Sequence, residues 1–212
     1  MARSLDELAP RAALSEIARE FHARGWMAGT GGNLSARDDE HFWITASGKP
    51  KGRLDERDFL LARVSHDEVV EILQAGDRPS AETGIHRAIY RCFPESMACL
   101  HAHSVPGVGV SLRARAKATA IRLPPVEIIK AFDIWKQDPR VDLPLFENHA
   151  NVARIAAEIE KRLRKKPPAL SALVIRGHGV TVWGATIQQA YDRYEAIEFI
   201  LELMWGAGKR ST

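Results

Sequence analysis

Hydrophobic positions along the chain change period several times, and each change marks an expected element. Leu5, Leu8, Ala12, Leu14, Ile17, Ala18 and Phe21 recur at three- and four-residue spacing, which predicts one amphipathic helix over 4–24. Ser4 and Glu7 have the spacing of a capping box at its start, and Gly25 is the expected stop. Short strand-like runs follow between turn residues, over 33–36, 41–45, 59–64 and 68–73. Helical patterns over 82–92, 106–115 and 152–164 then alternate with strand-like runs over 97–103, 118–123, 140–146, 172–176 and 180–183. Pro124-Pro125 breaks the chain before a short run over 126–132. A long helix over 186–204 follows, with Ile187, Ala190, Tyr194, Ile197, Ile200, Leu201 and Met204 on one face. Irregular alternation of helices with hairpin-like strand pairs predicts a layered α/β or α+β domain, its mixed or mainly antiparallel sheet covered by helices on both faces.

A length of 212 residues fits one domain over 1–212, and 45% hydrophobic residues suffice for a substantial core. The isoelectric point near 9.0 raises the question of nucleic acid, but the net charge is only +3. The basic residues cluster only at Arg162, Arg164, Lys165 and Lys166, without interleaved aromatics, which reads as a solvated helix end and not a nucleic-acid surface. Two cysteines, Cys92 and Cys99, are too few for a disulfide framework. No uninterrupted apolar stretch reaches the length of a membrane span, and the first thirty residues lack a signal-peptide core, so the cytoplasm is the expected location.

Chemistry enters with the histidines. His101 and His103 lie two apart on an expected strand, so both imidazoles point to the same face and can converge on one metal. Alone, such a pair reads more readily as one buried, hydrogen-bonded histidine beside an exposed one. His178, between Gly177 and Gly179 at the end of an apolar strand, adds a third imidazole on a tight turn. Three histidines with a fourth position open are the usual ligand set of catalytic zinc. His86 follows Glu82 by four residues and shares its helix face, as a surface histidine or as a support behind the site. Gly29–Ser35, Thr45–Lys49 and Pro79–Glu82 are small, polar segments that offer backbone N–H groups and hydroxyls to a phosphate, though each alone is an ordinary turn. Glu127 sits among Val126, Ile128 and Ile129, a setting that would raise its pKa and suit proton transfer, unless it is exposed on a short helix.

Taken in order, Gly31-Gly32-Asn33-Leu34-Ser35, Ile44-Thr45-Ala46-Ser47-Gly48, Pro79-Ser80-Ala81-Glu82, His101-Ala102-His103 and Gly177-His178-Gly179 resemble the class II aldolase/adducin family over nearly the whole chain. The resemblance implies a three-layer α/β/α domain with a largely antiparallel sheet, assembled as a homotetramer with active sites at subunit interfaces. It implies His101, His103 and His178 as ligands of one zinc per subunit. Gly32, Asn33, Ser47, Gly48, Lys49 and Ser80 would then hold the phosphate of a small phosphorylated ketose. The segments 47–54, 78–83 and 127–131 are most similar to the dehydratases of the family. In its aldolases a glutamate at the position of Glu82 is the acid/base; in its dehydratases the glutamate resembling Glu127 moves the proton. Ala81 departs from the serine pair of some aldolases and removes one phosphate hydroxyl. A zinc-dependent lyase is therefore expected, with an aldolase, a pentulose-phosphate 4-epimerase or a non-catalytic adducin-like domain as alternatives.

Overall fold

Pro10 divides the first helical stretch in two. In the computed structural model, which describes residues 4–207, Leu5–Glu7 form a short 3-10 turn and α1 runs from Pro10 to Ala23. Proline has no N–H to donate and is tolerated in the first helical turn, so it starts α1 instead of continuing an earlier helix. The expected capping box is corrected accordingly: Ser4 Oγ accepts from Asp6 N at 3.3 Å within the 3-10 turn. At the other end Gly25, at φ 76°, closes α1 as expected, with Trp26 N donating to Phe21 O and Gly25 N to His22 O.

Among the described residues nine strands follow: β1 (Asn33–Asp38), β2 (His41–Thr45), β3 (Phe59–Arg63), β4 (Val69–Ile72), β5 (Ala98–Ala102), β6 (Ala120–Arg122), β7 (Asp142–Phe146), β8 (Ala172–Ile175) and β9 (Gly179–Gly184). They form one sheet in the order β4-β3-β2-β1-β5-β9-β8-β7-β6. Every pairing is antiparallel except β7 with β8, which are linked by α4 (Val152–Lys165). The remaining helices are α2 (Thr83–Cys92), α3 (Val105–Arg113) and α5 (Ile187–Ala207).

Alternation along the strands sorts the side chains into two apolar clusters, one per sheet face. Leu34, Leu100, Val174, Val180 and Val182 pack with Leu14, Ile17 and Phe21 of α1 and Ile197, Ile200 and Leu201 of α5. Phe42, Ile44, Cys99, Leu173, Ile175 and Trp183 pack with Ile85 and Ile89 of α2 and Ile155 and Ile159 of α4. The result is the three-layer α/β/α arrangement. β5 is the middle strand and is covered on both sides, which is why Ala98–Ala102 is buried throughout. Among the described residues no helix is long and apolar enough to cross a membrane.

Candidate active site

The end of β5 sets the position of the site. His101 lies opposite Asn33 of β1 and Thr181 of β9, so the three side chains rise from one face of three adjacent strands. His103 follows as the chain leaves the strand, its N–H donating to Trp26 O at 2.9 Å. His178 comes from the β8–β9 turn, where Gly177 takes φ 63°. Gly179 must be a glycine: a Cβ there would lie 2.7 Å from Cδ2 of His103 and strike the carbonyl of Ala102. The three rings pack edge to face with centroids 4.7–5.1 Å apart.

Glu82, the residue before α2, enters the same cluster from the helix layer. One donor atom from each of Glu82, His101, His103 and His178 lies within 4.8 Å of the others. Oε1 of Glu82 is 2.5 Å from Nε2 of His178 and 3.6 Å from Nε2 of His101, and the Nε2 atoms of His101 and His103 are 2.9 Å apart. Bonds of 2.0–2.1 Å to a tetrahedral ion would set such atoms roughly 3.4 Å apart, so the donor set fits a divalent metal in spacing and type. Nδ1 of His178 is buried with no hydrogen-bond partner among the described residues, so the protein alone does not satisfy that ring. His103 is pushed down to about 3 by burial, with the neighbouring His101 adding to the effect, which keeps a lone pair available on it at neutral pH. Burial alone would raise Glu82, but His101 and His178 outweigh it and hold the carboxyl below the usual range, as an anion.

A buried hydrogen-bond chain stands behind Glu82. His86 is wholly buried, with Nε2 against Oδ1 of Asn33 and Nδ1 2.7 Å from Oγ of Ser35. An amide oxygen only accepts, so Nε2 of His86 carries the proton, Nδ1 accepts from Ser35, and Ser35 accepts in turn from the Tyr90 hydroxyl at 2.7 Å. Asn33 then points its Nδ2 at Oε2 of Glu82 and, at 3.3 Å, at Oγ of Ser80. Burial pushes His86 down to about 3, which keeps it the neutral link this direction requires. His86 therefore supports the site from behind. Tyr90 and Thr181, the latter 2.9 Å from Nδ1 of His101, carried no signal in the sequence beyond ordinary helix and strand positions. Ser35, expected in a phosphate loop, turns its hydroxyl to His86 and Tyr90 instead.

The three expected phosphate loops meet at one cavity of about 180 Å³, lined by Thr30, Gly31, Gly32, Asn33, Ser47, Gly48, Lys51, Ser80, Glu82 and His103 among others. Ser47 N donates to Arg78 O at 2.8 Å, and Ala46 bridges Pro79, which ties the Ser47 loop to the Ser80 loop. Gly32, at φ 82°, lets its loop lie against β5, where a Cβ would sit 2.8 Å from the carbonyl oxygen of His101.

Two expectations need correction. Lys49 does not line this cavity: its Nζ is held by Asp58 at 3.1 Å and Asp77 at 2.9 Å, and the lysine that does line it is Lys51. Glu127 is not lodged among apolar neighbours. Its side chain is 81% exposed and paired with Lys130 at 2.5 Å, and that pairing lowers its pKa instead of raising it. Residues 127–132 form a 3-10 helix of three residues per turn, so Glu127 and Lys130 share the outer side while Ile129 and Phe132 turn into the core. That segment packs in the cluster on the α5 face of the sheet, and Arg193 binds both Ala131 O and Trp183 O, toward the strand end away from the histidines. Within one chain Glu127 does not join Glu82.

A sheet of this order carrying three histidines at adjacent strand ends defines the class: residues 12–205 match the class II aldolase and adducin N-terminal domain, and the chain belongs to that family. It is 46% identical over 199 residues to the methylthioribulose-1-phosphate dehydratase of Microcystis aeruginosa, covering 93% of this chain and 96% of the relative. With the enzyme of the same name from Leptospira biflexa the identity is 40% over 203 residues, covering 90% and 94%. Among solved structures, YgbL from Escherichia coli superposes with a TM-score of 0.75 at 26% identity over 92% of this chain and 87% of that one. L-fuculose-1-phosphate aldolase from Thermus thermophilus superposes at 0.72 and 22% identity over 94% and 95%, which is a likeness of fold.

Proposed function

We propose that the chain is a zinc-dependent hydro-lyase that converts 5-methylthioribulose 1-phosphate to 2,3-diketo-5-methylthiopentyl 1-phosphate, a dehydration in methionine salvage. The observation that carries this reading is the convergence of His101, His103, His178 and Glu82 beside a cavity lined by the three phosphate loops. The identity of 46% and 40% with relatives named for that substrate supports it.

His101, His103 and His178 would hold the zinc, which as a Lewis acid supplies polarisation of the ketone at carbon 2 and the hydroxyl at carbon 3. Asn33, Ser47, Gly48 and Ser80 hold the phosphate on carbon 1, next to the ketone carbon, which fixes where carbon 3 lies relative to Glu82. In the overall balance carbon 3 loses a proton and carbon 4 loses its hydroxyl, which leaves as water after protonation. The resulting enol tautomerises to the diketone with the phosphate retained. Glu82, anionic and aimed by Asn33, holds the substrate hydroxyls or shares these transfers.

Glu127 is assigned the main proton transfer, acting from a neighbouring subunit of a homotetramer. Its exposure and its place away from the histidines of its own chain favour that arrangement. So do the exposed apolar side chains Val105 and Leu112 on α3, Phe199 and Leu203 on α5, and Trp135 beyond the Glu127 segment, which a partner subunit would cover. The two free cysteines fit a cytoplasmic setting.

Metal content of the purified protein, measured together with turnover of methylthioribulose 1-phosphate, tests the reading. Diketone as the product, with one zinc per chain, is expected. An aldehyde product would identify an aldolase, and protein without divalent metal that turns over no ketose phosphate would remove the enzymatic reading.

A further inference from the structure

Two lysines follow the Ser47-Gly48 turn, and their charges meet different fates. Lys49 is neutralised between Asp58 and Asp77, the Asp77 hydrogen bond chief among the causes that raise its pKa. Lys51 is only 2% exposed. Its backbone N–H donates to Gly29 O at 3.0 Å, which fixes the residue at the head of a short 3-10 turn over Lys51–Arg53.

The Lys51 ammonium donates to Thr30 O at 2.8 Å and to Lys49 O at 2.9 Å. Three donors are available, so one remains. Both partners are neutral carbonyls, and the carboxylates of Glu82 and Asp58 act on the ammonium only through space. Removing an ammonium from water costs several kcal/mol, and two carbonyls leave its charge uncancelled. Burial accordingly pushes its pKa down to about 8, still on the charged side of neutrality. The same cavity is lined by Gly32, Asn33, Ser47, Gly48 and Ser80, and its one carboxylate, Glu82, makes no hydrogen bond to the ammonium but is held by Asn33 and His178. A cation kept at that cost is matched to an anion that arrives from outside.

We propose that Lys51 is the cationic anchor of the substrate's phosphate, its free N–H and charge meeting a dianion cradled by Gly32, Asn33, Ser47, Gly48 and Ser80. This rests on the proposed function only in naming the dianion as the phosphate of a ketose. The anchor makes Lys51 a specificity-determining residue, because an unphosphorylated ketose would leave the ammonium buried without its counter-charge.

The test uses the metal-loaded protein with inorganic phosphate as the probe. Lys51→Met keeps the length of the side chain and removes the charge. Phosphate binding by calorimetry is expected to weaken about 30-fold, with zinc content retained. The KM for methylthioribulose 1-phosphate should rise by a similar factor while kcat changes much less. Unchanged phosphate affinity in Lys51→Met overturns the assignment. Should that variant not fold, a crystal of the wild-type protein soaked in phosphate decides: an oxygen about 3 Å from the Lys51 ammonium is expected, and phosphate that makes no contact with Lys51 overturns it. Phosphate binding needs no turnover, so a Lys51-dependent anion site in a protein inert toward the ketose phosphate would sink the proposed reaction and leave the anchor standing.

Discussion

Oε1 of Glu82 lies 2.5 Å from Nε2 of His178, although 95 positions of sequence separate the two residues and they sit on different layers of the domain. The contact joins the start of α2 to the β8–β9 turn and brings a carboxylate into the histidine cluster. Glu82→Gln keeps the shape, the hydrogen bond from Asn33 and all three imidazoles, and removes the charge. Turnover is expected to fall by roughly 10²–10⁴, with zinc still bound, though less tightly. Were Glu82 merely an acidic residue at a helix start, activity would stay within a few-fold of wild type, and steady-state kinetics beside metal analysis separates the two.

Asn33 can aim its amide N–H groups at Glu82 only because His86 occupies its oxygen. His86→Phe fills the space but leaves the amide oxygen of Asn33 unpaired in a buried setting, while Ser35 keeps Tyr90 and Cys99 O as partners. One unpaired group costs about 1–3 kcal/mol, so the unfolding midpoint drops. A role confined to packing would end there. A positioning role predicts in addition a fall in kcat of about 10–100-fold with zinc stoichiometry intact, partly restored in His86→Gln, which still has a donor to offer.

The histidines of the site were legible because a strand repeats every two residues: His101 and His103 were expected on one face, and although β5 ends at Ala102, the His103 ring packs against that of His101. The glycines around His178 announced a turn, and the turn residue in space is indeed beside the pair. What escaped was decided by register and helix type. Thr181 meets His101 only through the pairing of β5 with β9, which no local pattern encodes. The apolar neighbours of Glu127 suggested a pocket, yet a 3-10 helix repeats every three residues and turns Ile129 inward and Glu127 outward. Lys49 and Lys51 flank Pro50, and composition offers no reason to prefer either; the difference lies in Asp58 and Asp77, which reach only the first.

Glu198 makes stability depend on pH in a direction opposite to His86. It is wholly buried on α5, 3.1 Å from the Tyr194 hydroxyl, and burial outweighs the hydrogen bonds of Ser104 and Tyr194 and pushes its pKa up from 4.5 to about 7. Above about pH 4.5 the unfolded chain releases this proton while the folded chain keeps it, so stability falls as the pH rises toward 7. His86, lowered from 6.5 to about 3, refuses a proton that the unfolded chain accepts, so its contribution is lost as the pH falls below about 6.5. Between those limits the two slopes oppose each other. Glu198→Gln removes one of them. Metal-free Glu198→Gln protein is expected to be more stable than wild type at pH 8 by up to about 3 kcal/mol, roughly 5–10 °C in Tm. The difference should shrink toward zero near pH 4.5. Equal differences at both pH values in thermal unfolding would show that the carboxyl titrates normally.

Glu127 poses a different question, since its carboxylate faces solvent and Lys130 in the isolated chain and belongs to a segment packed on the other face of the sheet from the histidines. If it serves the site of a neighbouring subunit, two crippled chains can repair each other. Glu127→Gln is expected to lose several orders of magnitude in turnover while binding zinc normally, and His178→Gln to lose zinc and turnover together. Co-refolded or co-expressed in equal amounts, some interfaces then combine an intact metal cluster from the Glu127→Gln chain with an intact Glu127 from the His178→Gln chain. Activity recovered to about a quarter of wild type is the expected outcome, since random assortment in subunit pairs leaves about one site in four complete. A mixture no more active than its components would place Glu127 in the service of its own chain or of none.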